Sequence, residues 1–251
     1  PAIRPPPPSL PRAVGLQMLL HLRRCARLRF ILPAAGLALL CAVAAAGLGH
    51  ASPSDPNVVP TFFEAFVTRA IALLALAMGA SAVRADADHG ALGAFLLRPR
   101  AAVALPLGRL VATVVLVAGF ALLTTAGVFT GAAIFGVAVD SARLPYVGAA
   151  ALLAGVSYTA VFVFFGAVSR HATALGLGWL VLVDMGLGNL SDRIGLLAPH
   201  NSLVVVGGFD PDLSLTGQVG LGFWFAVAQI LVLSFGAGLG LLWRFRGDVP
   251  D

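Results

Sequence analysis

The chain is predicted to be all-α and polytopic in a membrane. Its expected architecture is six transmembrane helices, an N-terminal interfacial helix, a short cytoplasmic helix between spans two and three, and short exterior helices between spans five and six. Three observations predict this. Of the 251 residues, 59% are hydrophobic and 11% charged, whereas a soluble domain carries about 25% charged residues. Apolar runs long enough to cross about 30 Å of hydrocarbon at 1.5 Å per residue recur along the chain. Charge is held at the edges of those runs, and the basic residues gather on alternate connections.

All 16 basic residues are arginine. A phosphate-binding loop of the G-x-x-x-x-G-K-[ST] type needs its lysine at the phosphates, so no such loop is present here. The net charge of +5 does not point to nucleic acid, because the arginines flank apolar spans and form no polar basic face with interleaved aromatics. Cys25 and Cys41 have no C-x-x-C spacing and no paired histidine, which argues against a disulfide or a metal site.

Residues 1–13, with P-P-P-P at their centre, are expected to be a disordered proline-rich tail, and 14–251 a single transmembrane domain. Val14 to Arg29 leads from leucines into His21, Arg23, Arg24, Arg27 and Arg29. It reads equally as an interfacial helix on anionic headgroups or as a basic flank that orients the first span. The spans are expected at about 30–48, 60–83, 107–137, 146–168, 172–190 and 218–243. The first could pass for a signal peptide, but its apolar region is long for one and it is expected to remain as an anchor. Between spans five and six, Ile194–Ala198 and Leu203–Val206 are too short to cross and are expected to lie at the membrane surface.

With both termini inside, thirteen arginines fall on interior segments and only Arg143 and Arg193 on exterior loops. This satisfies the positive-inside rule and puts Asp86 to Arg109 in the cytoplasm. Gly127 and Gly131, and Gly236 and Gly240, stand four residues apart. They read as close helix packing, as a dimer seam, or as simple glycine abundance.

The cytoplasmic stretch carries a spaced motif. Asp86 and Asp88 stand four and two residues before Gly90; Leu92, Phe95, Leu96 and Leu97 follow. Pro99 comes nine residues after Gly90, and Gly108 and Arg109 come nine and ten after Pro99. In this the chain resembles the membrane subunits of type-2 ABC transporters, mostly exporters, whose second span is followed by acid-x-acid-x-Gly-Thr-Leu, then Pro and Gly-Lys at those intervals. It departs from that pattern in Asp for Glu, Ala91 for Thr, Arg109 for Lys, and Ala102 for an arginine, with Arg100 basic instead. The resemblance implies a permease subunit that is not itself an enzyme and binds no cofactor, ATP and Mg being held by a partner ATP-binding subunit. It implies a second permease copy, homodimeric or related, in the lipid bilayer of a bacterial cytoplasmic membrane. The ATPase-coupling residues would be Asp86, Asp88, Gly90, Leu92, Phe95, Leu96, Pro99 and Arg100.

Read from the residues alone, the two carboxylates favour the start of a short helix, Leu92, Phe95 and Leu96 form an apolar ridge, Pro99 stops it, and Pro106 and Gly108 open the next span. From the residues alone such a helix reads first as an amphipathic connector on the membrane surface; the resemblance makes it a helix suited to a groove on an ATPase. The alternative function is a non-transporting membrane anchor or assembly subunit.

Glu64, Arg69 and Asp184 lie inside spans, where an ionisable group costs about 2.5–3.5 kcal/mol and faces a partner or a water path. Glu64 and Arg69 stand about 140° apart on an ideal α-helix. Arg69 and Asp184 lie at nearly matching depths, and are expected to pair, either to fix helix register or to line the substrate path. The five histidines share no metal-ligand spacing and are expected to be solvated.

Overall fold

A computed structural model describes residues 9–25, 28–51, 61–88, 99–134, 136, 142, 144–186, 199, 203, 206 and 221–246. Among them the chain is all-helical, with seven α-helices. They are α1 (Leu10–Cys25), α2 (Leu28–Ala51), α3 (Thr68–Asp88), α4 (Pro99–Ile134), α5 (Leu144–Val168), α6 (Ala172–Trp179) and α7 (Leu221–Arg246). Two π-helical segments interrupt the α pattern, Phe63–Val67 running into α3 and Leu180–Gly186 continuing α6.

Two helices, Val103–Ile134 and Leu144–Val168, are long and apolar enough to cross a membrane. Ala34–Leu48, Ala172–Gly186 and Val227–Trp243 are shorter apolar stretches. The apolar surface is not confined to the core. Leu39, Leu40, Leu123, Leu182, Val232, Phe235 and Trp243 are all exposed, so α2, α4, α7 and the π segment after α6 turn large hydrophobic side chains outward.

α5 is the centre of the bundle and packs against α3, α4, α6 and α7. Its sequence explains why: Ala150, Ala151, Ala154 and Gly155 are buried small residues, which let neighbouring backbones come close. A Cβ on Gly155 would sit 3.1 Å from the backbone of Ala118 on α4, and one on Gly166 would sit 2.6 Å from the Ala80 carbonyl oxygen on α3. Gly127 and Gly131 face Ala42 on α2, and Gly240 faces Phe164 on α5; these contacts lie within one chain. Gly236 meets open space.

Several boundaries differ from expectation, and prolines account for most of them. Residues 10–13, expected in the tail, belong to α1, with Pro11 in its first turn, where a missing N–H costs nothing because the first N–H groups have no helical acceptor. α4 is described from Pro99, and the short helix that Pro99 was expected to end falls on residues 89–98, outside the described residues. Pro106, expected to open a span, lies inside α4. α3 runs on to Asp88, so Asp86 and Asp88 lie within a helix, and the short helix expected to start after them falls on residues 89–98, outside the described residues. Leu203 and Val206, expected at a membrane surface, are buried in the main core.

Candidate functional site

Two buried polar nodes interrupt the apolar packing. The first lies between α5 and the π segment Leu180–Gly186. Tyr158 donates from its hydroxyl to Asp184 Oδ2 at 2.8 Å, and both residues are buried. Aromatic packing holds the phenol in place. Its ring stacks on Phe162 with centroids 6.1 Å apart and meets Trp179 edge-on, also at 6.1 Å. The positive charge of Arg69 acts at this phenol, so Arg69 of α3 belongs to the same neighbourhood. Arg69 itself is exposed.

Register brings the three together. α6 lies against α3 where Gly176 meets Leu76. The tight turn at Ser169–His171 reverses the chain between α5 and α6. Asp184 follows Gly176 by eight residues, through the π segment that continues α6. Both π segments carry an acidic residue, Glu64 in one and Asp184 in the other. Thr68 N–H reaches back to Phe63 O, the i−5 bond of a π turn. A backbone bonded in that way brings residues five apart toward one face, so the 140° separation of Glu64 and Arg69 expected for an α-helix does not apply. The side chain of Glu64 lies outside the described residues.

The second node ties α1 to the start of α4. Arg109 Nη1 donates to the Ala82 carbonyl of α3 at 2.9 Å and to His21 Nδ1 at 3.0 Å. His21 Nε2 lies 3.2 Å from Thr113 Oγ1 and 3.5 Å from Cys25 Sγ. Thr113 donates to the Arg109 carbonyl at 2.8 Å, the back-bond that lets a hydroxyl ride on an apolar helix. α1 comes this close because residue 108 is glycine. A Cβ there would sit 2.6 Å from Gln17 Cβ and 2.9 Å from the Val14 carbonyl oxygen.

His21, expected to be solvated, is therefore buried and bonded, and α1 has one face docked on α4. The signal was in the spacing. Val14, Met18, His21 and Cys25 recur at intervals of four, three and four, a helical stripe that places His21 on the packed side. Tyr158 was missed because a lone tyrosine in an apolar run reads as filling. Its hydroxyl needs a partner when buried, and Asp184 was the available acceptor.

Of the expected coupling residues, Gly90, Leu92, Phe95 and Leu96 lie outside the described residues. Asp86, Asp88, Pro99 and Arg100 are placed by backbone alone, at the end of α3 and the start of α4. The motif thus spans the connection between two helices that Arg109 already ties together through Ala82. No metal-binding group of three or more His, Cys, Asp or Glu occurs among the described residues. Comparison of the chain with protein-family models finds no match, and neither does comparison with curated proteins.

Proposed function

We propose that the chain is the membrane-spanning permease subunit of an ATP-driven exporter of the ABC type. The six spans are α2, α3 with its π turn, α4, α5, α6 with its π segment, and α7, with both termini cytoplasmic in a bacterial cytoplasmic membrane. The subunit works beside a second permease copy, identical or related, and a separate ATPase that holds ATP and Mg. The observation that carries the reading is the register of Asp86, Asp88, Gly90, Leu92, Pro99, Gly108 and Arg109 across the α3–α4 connection.

Two features support it. Leucine, valine and phenylalanine face outward on several helices, which suits lipid as the surrounding solvent and would cost solubility in water. The connection also has a direct mechanical route inward. α3 packs along α5 and touches α6, so a push delivered to residues 89–98 by an ATPase moves the helix that carries Arg69 relative to those that carry Tyr158 and Asp184. Export then follows as a shift between inward-open and outward-open packings biased by ATP. Pairing of Arg69 with Asp184, with Glu64 toward the exterior mouth, belongs to this reading.

The test is reconstitution. The chain is placed in liposomes with a purified ATP-binding subunit of the ABC type, and ATP hydrolysis and complex formation are measured. Asp88→Arg and Leu92→Glu are expected to abolish association while leaving membrane insertion intact. Association that survives both changes overturns the coupling assignment and favours the anchor or assembly role.

A further inference from the structure

α1 has two faces, and its contact with α4 decides which is which. Val14, Gln17 and Met18 meet Gly108, and His21 is bonded to Arg109 and lies against Thr113. On a helix of 3.6 residues per turn these four and Cys25 fall within one arc of about 100°. Arg12, Leu16, Leu19, Leu20 and Arg23 fall within a second arc of about 100° on the opposite side, and all five are exposed. Two arginines thus bracket three leucines on the face turned away from α4.

Neighbouring helices set the depth of that face. Met18 and His21 of α1 lie beside Gly108 and Thr113, and Ala42 of α2 lies beside Gly127 and Gly131, so α1 and α2 advance in step along α4. Arg23, Arg24, Arg27 and Arg29 come at the join between them, and the apolar stretch Ala34–Leu48 follows. Arginine is costly in hydrocarbon, so α2 takes the hydrocarbon and the Arg23 end of α1 stands at headgroup level. Leu16 to Arg23 covers about 10 Å along the axis, close to the thickness of about 5–8 Å of one headgroup layer.

The chemistry of the face selects its ligand. Leucines side by side are unfavourable in water, and guanidinium groups at their two ends match phosphate oxygens through paired N–H bonds. An apolar strip with cationic ends is the pattern that seats a helix among phospholipids. Charge then chooses among phospholipids. The first 54 residues hold six arginines and no acidic residue, and an arginine near an anionic surface is worth about fivefold in binding.

We propose that the outward face of α1 is a binding site for anionic phospholipid, with Arg12 and Arg23 on headgroup phosphates and Leu16, Leu19 and Leu20 among the first acyl-chain carbons. The proposal requires a bilayer around the bundle and takes nothing from the ATPase reading.

The experiment uses the full chain in phosphatidylcholine nanodiscs, with and without one quarter phosphatidylglycerol. After Cys25→Ser and Cys41→Ala, a nitroxide at Leu16 reports collision with oxygen, which concentrates in lipid, against a water-soluble nickel chelate. A separate label at Leu40, exposed on α2, reports insertion of the bundle. Leu40 is expected to be oxygen-dominated in both lipids. Leu16 is expected to be nickel-dominated in phosphatidylcholine alone, oxygen-dominated with phosphatidylglycerol, and nickel-dominated again when Arg12→Gln and Arg23→Gln are combined. A Leu16 signal that ignores the lipid or ignores the two substitutions overturns the proposal, and one shielded from both reagents assigns the face to a protein contact and overturns it as well. A nickel-dominated Leu40 removes the bilayer placement and the proposal with it. A second readout needs no label: after purification from an equimolar mixture of the two lipids, the native chain is expected to retain phosphatidylglycerol over phosphatidylcholine at a ratio at least about fivefold higher than the double arginine variant does. Equal ratios overturn the proposal.

Discussion

The hydroxyl of Tyr158 donates to Asp184 Oδ2 at 2.8 Å across the contact between α5 and the π segment that follows α6. A hydrogen bond to a charged acceptor contributes about 1.5–3 kcal/mol, so Tyr158→Phe is expected to destabilise the folded chain by that amount. Asp184→Asn, which keeps an acceptor in place, should cost less. Thermal unfolding in detergent, compared for the two variants, checks the order; equal losses would contradict it.

If Arg69 and Asp184 are a pair, their substitutions are not independent. Arg69→Leu and Asp184→Leu should each be strongly destabilising, with the double variant recovering a coupling of about 0.5–3 kcal/mol. Additive losses in a double-mutant cycle would remove the pairing.

Gly166 and Gly36 separate close packing from composition. A methyl at 166 meets the Ala80 carbonyl, whereas one at 36 meets open space. Gly166→Ala is expected to cost about 1–3 kcal/mol through forced separation of α3 and α5. Gly36→Ala should be neutral or stabilising by up to about 1 kcal/mol. Denaturation midpoints of the two variants give the comparison directly.

α3 ends with Asp86 and Asp88 in its last turn and no basic residue there. Negative charge at a helix C-terminus is unfavourable by about 0.3–1 kcal/mol per residue at a surface. Asp88→Asn is therefore expected to raise the melting temperature of the isolated subunit slightly, while weakening ATPase association in the reconstituted complex. A variant that loses both stability and association would indicate a structural role for the carboxylate instead.

What the sequence disclosed depended on which physical effect was in charge. Where apolar length governs, as at Leu144–Val168, the expected span of 146–168 is within two residues of the helix. Where proline governs, residue type alone misleads, because Pro11 sits where a helix has no use for its N–H and Pro106 lies inside α4. The buried nodes were half legible. Asp184 and Arg69 announced themselves as charges in apolar runs, but Tyr158, Thr113 and His21 are ordinary in composition and gain meaning only from the residue across the helix contact. The π turns were invisible, since nothing in Phe63–Val67 or Leu180–Gly186 marks an extra residue per turn.

α4 runs unbroken over 36 residues, about 54 Å at 1.5 Å per residue. It meets α5 at backbone distance at Ala118 against Gly155, about 28 Å from the Pro99 end and about 24 Å from the Ile134 end. A rod pinned there behaves as a seesaw. Moving as one piece, it returns a sideways shift at the Pro99 end as an opposite shift of nearly equal size at the Ile134 end. The small residues at this crossing thus set the position of the pivot, and a bulkier side chain at 118 or 155 would alter the ratio of the two arms as well as the stability of the bundle.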